Sequence, residues 1–244
     1  MSPFHLTTAS VLGREHARLF RNNQDGVAAR VEGGIAVAVV TDGCGSGASS
    51  EVGARLGARF LAQLMPGLVR EVGVGPQLAE RATDALLAWV YEVVRPLDVD
   101  GAGLASLVAE QWLFTFLCAV MDEKSALIFG IGDGVWSADG AGRVLDAGVN
   151  NAPDYLAYRL VPRAQLVSTQ KVGVPVVHFF GEARQLAVAT DGLSGPGRAV
   201  LEQLAADDVV WRNPVALQRK LHVLSARDRL LHDDTTVAVL KRSA

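Results

Sequence analysis

Four apolar runs in this sequence meet an aspartate at their edge: IAVAVVT before Asp42-Gly43, ALIFGIG before Asp133-Gly134, QLAVAT before Asp191-Gly192, and TTVAVLK after Asp233-Asp234. A fifth aspartate, Asp25 in RNNQDG, stands just ahead of the first run. Taken singly, an Asp-Gly pair marks a turn, because Asp tolerates left-handed backbone and Gly supplies it without strain. Recurrence at strand ends says more. Carboxylates gathered at one end of neighbouring strands repel each other unless a cation neutralises them, and an all-oxygen set suits hard ions such as Mg²⁺ or Mn²⁺. The glycines let the chain turn sharply and leave room beside each carboxylate.

The runs differ in period from the segments between them. Residues 35–41 read as a buried strand leaving through the turn GCGSG. From Ser49 onward Val52, Leu56, Phe60 and Leu64 recur at helical spacing, with Ser49 or Ser50 placed to cap the first turn. A second helix is expected from Pro76 to about Val94, stopped by Pro96. WLFTFLCAVM (112–121), a turn at 122–125 and ALIFGIGD (126–133) form an antiparallel hairpin, which Trp136 and residues 143–145 continue as a meander. Residues 148–175 hold Asn150, Asn151, Pro153, Pro162, Gly173 and Pro175 without periodicity, and read as an irregular flap or substrate loop over the sheet. A strand at 185–191, helices at about 197–206 and 214–225, and a last strand at 235–241 complete the chain. Most strands lack a helix between them, so the class is α+β with mostly antiparallel sheets.

Composition narrows the partners. The 244 residues are half apolar and are read as a single domain spanning 1–244. A net charge of −3 gives no field to attract nucleic acid or an anionic membrane. Cys44 and Cys118 are too far apart in sequence and too unlike in context for a disulfide framework or a zinc site. With no leader pattern and no apolar run of about 18 residues, the expected location is the cytoplasm.

RNNQDG, VVTDGCGSG opening a helix, FGIGDGVW, VATDGLSG and DDTTVAVL occur in that order from about Arg21 to Leu240. Together they resemble the motif series of the bacterial-type members of the type 2C metal-dependent serine/threonine protein phosphatases. The resemblance implies a four-layer αββα sandwich, two mostly antiparallel sheets flanked by helix pairs. It also implies two Mn²⁺ or Mg²⁺ ions, with a third held by Asp133 and Asp191. By motif match, Asp42 bridges two ions, the Gly43 carbonyl completes one coordination sphere, and Asp25, Asp191 and Asp233 bind directly or through water. The implied reaction is hydrolysis of phosphoserine or phosphothreonine by a hydroxide bridging the metals. The implied partner is a phosphorylated protein, either a partner kinase or that kinase's target.

Three positions depart from the family pattern. Gln24-Asp25 replaces the usual Glu-Asp pair and removes one formal charge. Cys44 stands where eukaryotic relatives have a proton-donating histidine; bacterial relatives often lack that histidine too, leaving water as the leaving-group acid. Arg21 is nearest to the family's phosphate-binding arginine, with Arg18 and Arg14 as alternatives. Cys44, His16 and His232 are otherwise ordinary packing or surface residues, and Asp98, Asp100, Asp207 and Asp208 lack the strand-edge context. Two other readings stay open here. One is an inactive phosphatase-fold scaffold. The other is a nucleotide site at GCGSG, which Asp42 opposes because a carboxylate there repels a pyrophosphate.

Overall fold

The computed structural model describes residues 3–97, 100–148, 152–167, 170–227 and 229–243. Among the described residues, ten strands are arranged in two five-stranded sheets. One has β1 (Phe4–Val11), β10 (Thr235–Arg242), β9 (Gln185–Ala189), β6 (Gly134–Ala138) and β7 (Ala141–Leu145) in that spatial order. The other has β2 (Asp25–Glu32), β3 (Ile35–Gly43), β4 (Phe114–Met121), β5 (Ala126–Ile131) and β8 (Val176–Gly181). Every ladder within them is antiparallel.

Alternation along β3 shows how the layers form. Val37 and Val39 pack against the long helices α2 (Ser50–Val72) and α3 (Pro76–Val94), joined by Leu61, Met65 and Leu86. Ala36, Ala38 and Val40 point the other way, into the space between the sheets, where they meet Leu186, Val188 and Leu240. A strand buried on both faces has no polar side to show, which is why IAVAVV reads as unbroken apolar sequence. The far face of the other sheet is covered by α5 (Arg198–Ala206) and α7 (Ala216–His222), with Leu201 and Leu217 on Val237 and Val239. The result is the expected helix, sheet, sheet, helix order.

Several elements differ from the sequence expectations. Asp25 does not precede the first strand; it opens β2, and β1 lies earlier still. Both were missed because β1 (FHLTTASV) mixes buried and exposed positions at a sheet edge and β2 (DGVAARVE) is poor in β-branched residues. The hairpin strand begins at Phe114, because Trp112 closes a helical stretch that starts with α4 (Gly101–Leu107), whose glycines weaken the helical signal. The first long helix runs on through Pro66 to Val72, and its serine does not cap it; Ser50 Oγ instead accepts the Gln24 amide. A short α6 (Asp208–Arg212) separates α5 from α7, with Asp207 capping it and paired to Lys220. Asp100 caps α4, whereas Asp98 lies outside the described residues. Within the 148–175 segment the chain makes two short helical turns, Leu156–Leu160 and Arg163–Gln165, and residues 149–151 and 168–169 are not described. The segment is followed by β8, an edge strand bulged at His178.

Ile128 is fully buried between the sheets. Ile128→Ala should cost about 2–5 kcal/mol of unfolding free energy in a urea titration, since the removed atoms leave a cavity between two hydrogen-bonded layers that close over it poorly.

Candidate active site

The β2–β3 register places Asp25 directly opposite Asp42 at one end of their sheet. β5 ends two residues before Asp133, where the chain crosses to the other sheet to begin β6. Asp191 follows β9, and Asp233 and Asp234 precede β10. Each of these acids therefore sits where a strand of one sheet or the other ends. Thr190 ties the sheets together: its hydroxyl donates to Asp25 Oδ2 at 2.8 Å and accepts the Thr236 N–H at 2.9 Å. Packing here is close enough to require glycine at 192, where a Cβ would lie 2.0 Å from the Asp234 carbonyl oxygen. A cavity of about 370 Å³ opens beside the acids, lined by Asp133, Leu145, Asp146, Gly148, Asp191 and Ser194.

The charges act on one another. Burial raises the Asp42 carboxyl well above the ordinary range, and Asp25, Asp191 and Asp133 push it further. Asp25 is raised by burial and by Asp234 and Asp191, against hydrogen bonds from Thr236 and Thr190. Asp133 is pushed up to about 6 by burial, with the Asp191 charge adding. Asp191 is raised by burial and by Asp233, while a hydrogen bond shared with Asp42 opposes the shift. Among the sequence-predicted ligands, Asp25, Asp42, Asp133 and Asp191 thus form one electrostatic cluster, with Asp233 at its margin and more than half exposed. Asp25 Oδ1, Asp133 Oδ1 and Gln24 Oε1 are buried without a hydrogen-bond partner. Buried oxygens left unpaired in a crowd of carboxylates are the donors that a hard divalent cation satisfies, so these residues fit Mg²⁺ or Mn²⁺.

Other predicted residues do different work. Arg21 is exposed and its Nη1 donates to the Gly45 carbonyl at 2.6 Å, which holds it against the glycine turn after Asp42. Arg18 pairs with Glu15. Gln24 Nε2 donates to Gly47 O and Ser50 Oγ, so the amide ties the Asp25 loop to the Asp42 turn, and Gly43 N–H returns a bond to Gln24 O at 3.2 Å.

Asp234 was not singled out from the sequence. It is 2% exposed, and its two oxygens accept from Gly13 N–H at 2.7 Å, Gln24 N–H at 2.6 Å and His16 Nδ1 at 2.7 Å. His16, Asp233 and Asp234 bring ligand-type atoms within 4.8 Å of one another, but the Asp234 oxygens are already engaged. Asp234 is a strut that fixes the segment before Asp25 to the start of β10. The adjacent pair Asp233-Asp234 was the available signal, but spacing alone cannot tell which of two neighbouring acids turns inward.

Two outcomes follow from this arrangement. The buried carboxylates titrate above their unfolded value near 3.8, so the native state holds extra protons, and stability present at low pH is lost as pH rises through about 6. Chelator-treated protein should therefore melt at a lower temperature at pH 7.5 than at pH 5.5, and saturating Mn²⁺ should reverse the loss; scanning calorimetry at both pH values checks it. Asp234→Ala should cost about 3 kcal/mol or more in urea unfolding even with chelator present, because it strands the Gly13 and Gln24 N–H groups in the interior.

Residues 12–232 match the family model for protein phosphatase 2C. No curated protein sequence is significantly similar. Among solved structures, the chain is similar to the serine/threonine phosphatase Stp1 from Staphylococcus aureus, at 15% identity over 98% of this chain and 95% of that one, with a TM-score of 0.56. It is similar to PppA of Pseudomonas aeruginosa, described as a regulatory component of its T6SS, at 20% identity over 99% of each chain and a TM-score of 0.58. The catalytic domain of the phosphatase PstP, solved with two manganese ions, shares 17% identity over 99% of each chain, with a TM-score of 0.59. At such identities the structures establish a common fold, while the family model covers most of the sequence: the chain belongs to the protein phosphatase 2C family.

Proposed function

We propose that this protein hydrolyses phosphoserine and phosphothreonine in other proteins with the help of divalent cations. The observation that carries the reading is the mutually perturbed set Asp25, Asp42, Asp133 and Asp191 with its unpaired buried oxygens. Asp42 feels all three of the others and is the candidate to bridge two ions, with the Gly43 carbonyl beside it; Asp25, Asp191 and Asp233 complete the set, and Asp133 with Asp191 would hold a third. When bound, Mn²⁺ or Mg²⁺ supplies acidification of water and neutralises charge growing on the phosphoryl oxygens. The PstP neighbour with its two manganese ions supports that choice of cation.

The chain's own residues do the rest. Arg21, pinned at the glycine turn, presents a guanidinium suited to phosphoryl oxygens. The 148–175 segment borders the cavity through Gly148 and acts as the flap over the substrate. The substrate is a phosphorylated protein, a partner kinase or that kinase's target, met in the cytoplasm; among the described residues no helix is long and apolar enough to cross a membrane. Gln24 lowers the charge of the cation shell by one while tying its two loops together.

Hydrolysis of p-nitrophenyl phosphate and of a phosphothreonine peptide should require Mn²⁺ or Mg²⁺, vanish with EDTA, and fall by about 10²-fold or more in Asp42→Asn and Asp191→Asn. A wild-type protein inert on both substrates at saturating Mn²⁺ would favour the scaffold reading instead.

A further inference from the structure

The short helix α1 (Arg14–Arg18) is fixed against the start of β10: Gly13 N–H and His16 Nδ1 each lie 2.7 Å from an Asp234 oxygen, and His16 Nδ1 is 4.0 Å from Asp233 Oδ1. The helix ends in a turn closed by two backbone bonds, Phe20 N–H to Ala17 O at 3.4 Å and Arg21 N–H to His16 O at 3.0 Å. A helix end closed by this pair of bonds puts the first of the two donors in left-handed backbone, a place that glycine fills without strain. Here it is a phenylalanine, with φ of 55°. A bulky side chain in that conformation is an outlier that costs stability. The ring does not offset the cost, because Phe20 is 98% exposed and Leu19 beside it is 55% exposed. Asp139 shows the contrast: it too is left-handed, at φ 47°, but its carboxylate accepts the Arg184 and Gln185 N–H groups. An aromatic ring held in strained backbone and standing in water gains nothing from the rest of the described chain, so its gain comes from a partner.

The position of Phe20 says which partner. Its neighbour Arg21 donates to the Gly45 carbonyl at 2.6 Å, in the glycine turn that follows Asp42, while His16 at the other side of the turn reaches Asp233. Phe20 is therefore held beside the acid cluster and next to the arginine assigned to the phosphoryl oxygens. A bound peptide spans about 3.4 Å per residue, so side chains within about three residues of the phosphorylated one reach this ring.

We propose that Phe20 is a specificity-determining residue that docks an apolar side chain of the phosphorylated protein, close in sequence to the phosphorylated serine or threonine. This rests on the phosphatase reading. An exposed aromatic covered by an apolar partner side chain is a common anchor of protein recognition, and fixing the ring in a closed turn leaves little freedom to lose on binding.

The test measures kcat/KM with Mn²⁺ for wild type, Phe20→Gly and Phe20→Tyr. The substrates are p-nitrophenyl phosphate, a phosphothreonine peptide of alanine and serine, and versions of that peptide with one leucine at each position from three before to three after the phosphothreonine. Wild type should prefer at least one leucine peptide over the leucine-free parent by about tenfold, the gain from covering a leucine with an aromatic ring. Phe20→Gly should lose that preference, and Phe20→Tyr, which keeps the ring face, should retain most of it. The melting temperature of Phe20→Gly should be no lower than that of wild type, because glycine relieves the left-handed backbone and no contact is lost. Indifference of wild type to leucine, a preference that survives in Phe20→Gly, an equal loss on p-nitrophenyl phosphate and every peptide, or a lower melting temperature in Phe20→Gly overturns the role. Wild type inert on p-nitrophenyl phosphate and all peptides, by contrast, removes the phosphatase reading and this role with it.

Discussion

Like charges crowded at one end of two sheets are the constraint on which the rest of this structure depends. Asp25, Asp42, Asp133 and Asp191 each sit where a strand ends, and burial together with neighbouring carboxylates raises the proton affinity of every one of them. A chain left to its electrostatics would spread these groups apart. They stay together because the antiparallel register, the crossing between sheets and the Thr190 bridge leave their backbones no freedom to move. Burial that is costly for stability is what prepares the site for a cation.

The sandwich supplies that rigidity. Apolar side chains between the sheets and under both helix layers give the ends of the strands a stiff platform, and functional groups at the ends of strands inherit its precision. Small residues such as Ala36, Ala38, Ala119 and Ala138 face one another across the middle, which lets the sheets approach closely enough for both to contribute acids to one cluster. The polar struts finish the alignment. Asp234 and Gln24 direct hydrogen bonds to backbone and side-chain groups of neighbouring segments, which sets where Asp25 and the Asp42 turn lie relative to β10.

Legibility followed local signal strength. The strands with continuous β-branched character and the Asp-Gly exits were readable, as was α3 with its proline start. β1, β2 and β8 were not, because edge strands bury only part of their side chains and so carry a weak alternation, blurred further in β8 by a bulge at His178. The glycine-rich helix before β4 was missed for want of propensity. In the site, the acids that end or follow obvious strands were found, while Asp234 and Thr190 have roles defined by partners on distant elements and leave no pattern in the chain.

The sequence alone determined the antiparallel α+β class, the recurrence of aspartate at strand ends and the oxygen-rich chemistry that follows from it. These are local properties, written in side-chain periodicity and in the backbone demands of turns. Only the tertiary structure decided which acids face one another and that Asp234 rather than Asp233 is turned inward. Distances between residues separated by a hundred positions or more depend on how the layers pack, and packing sums many weak contacts that no short stretch of sequence records.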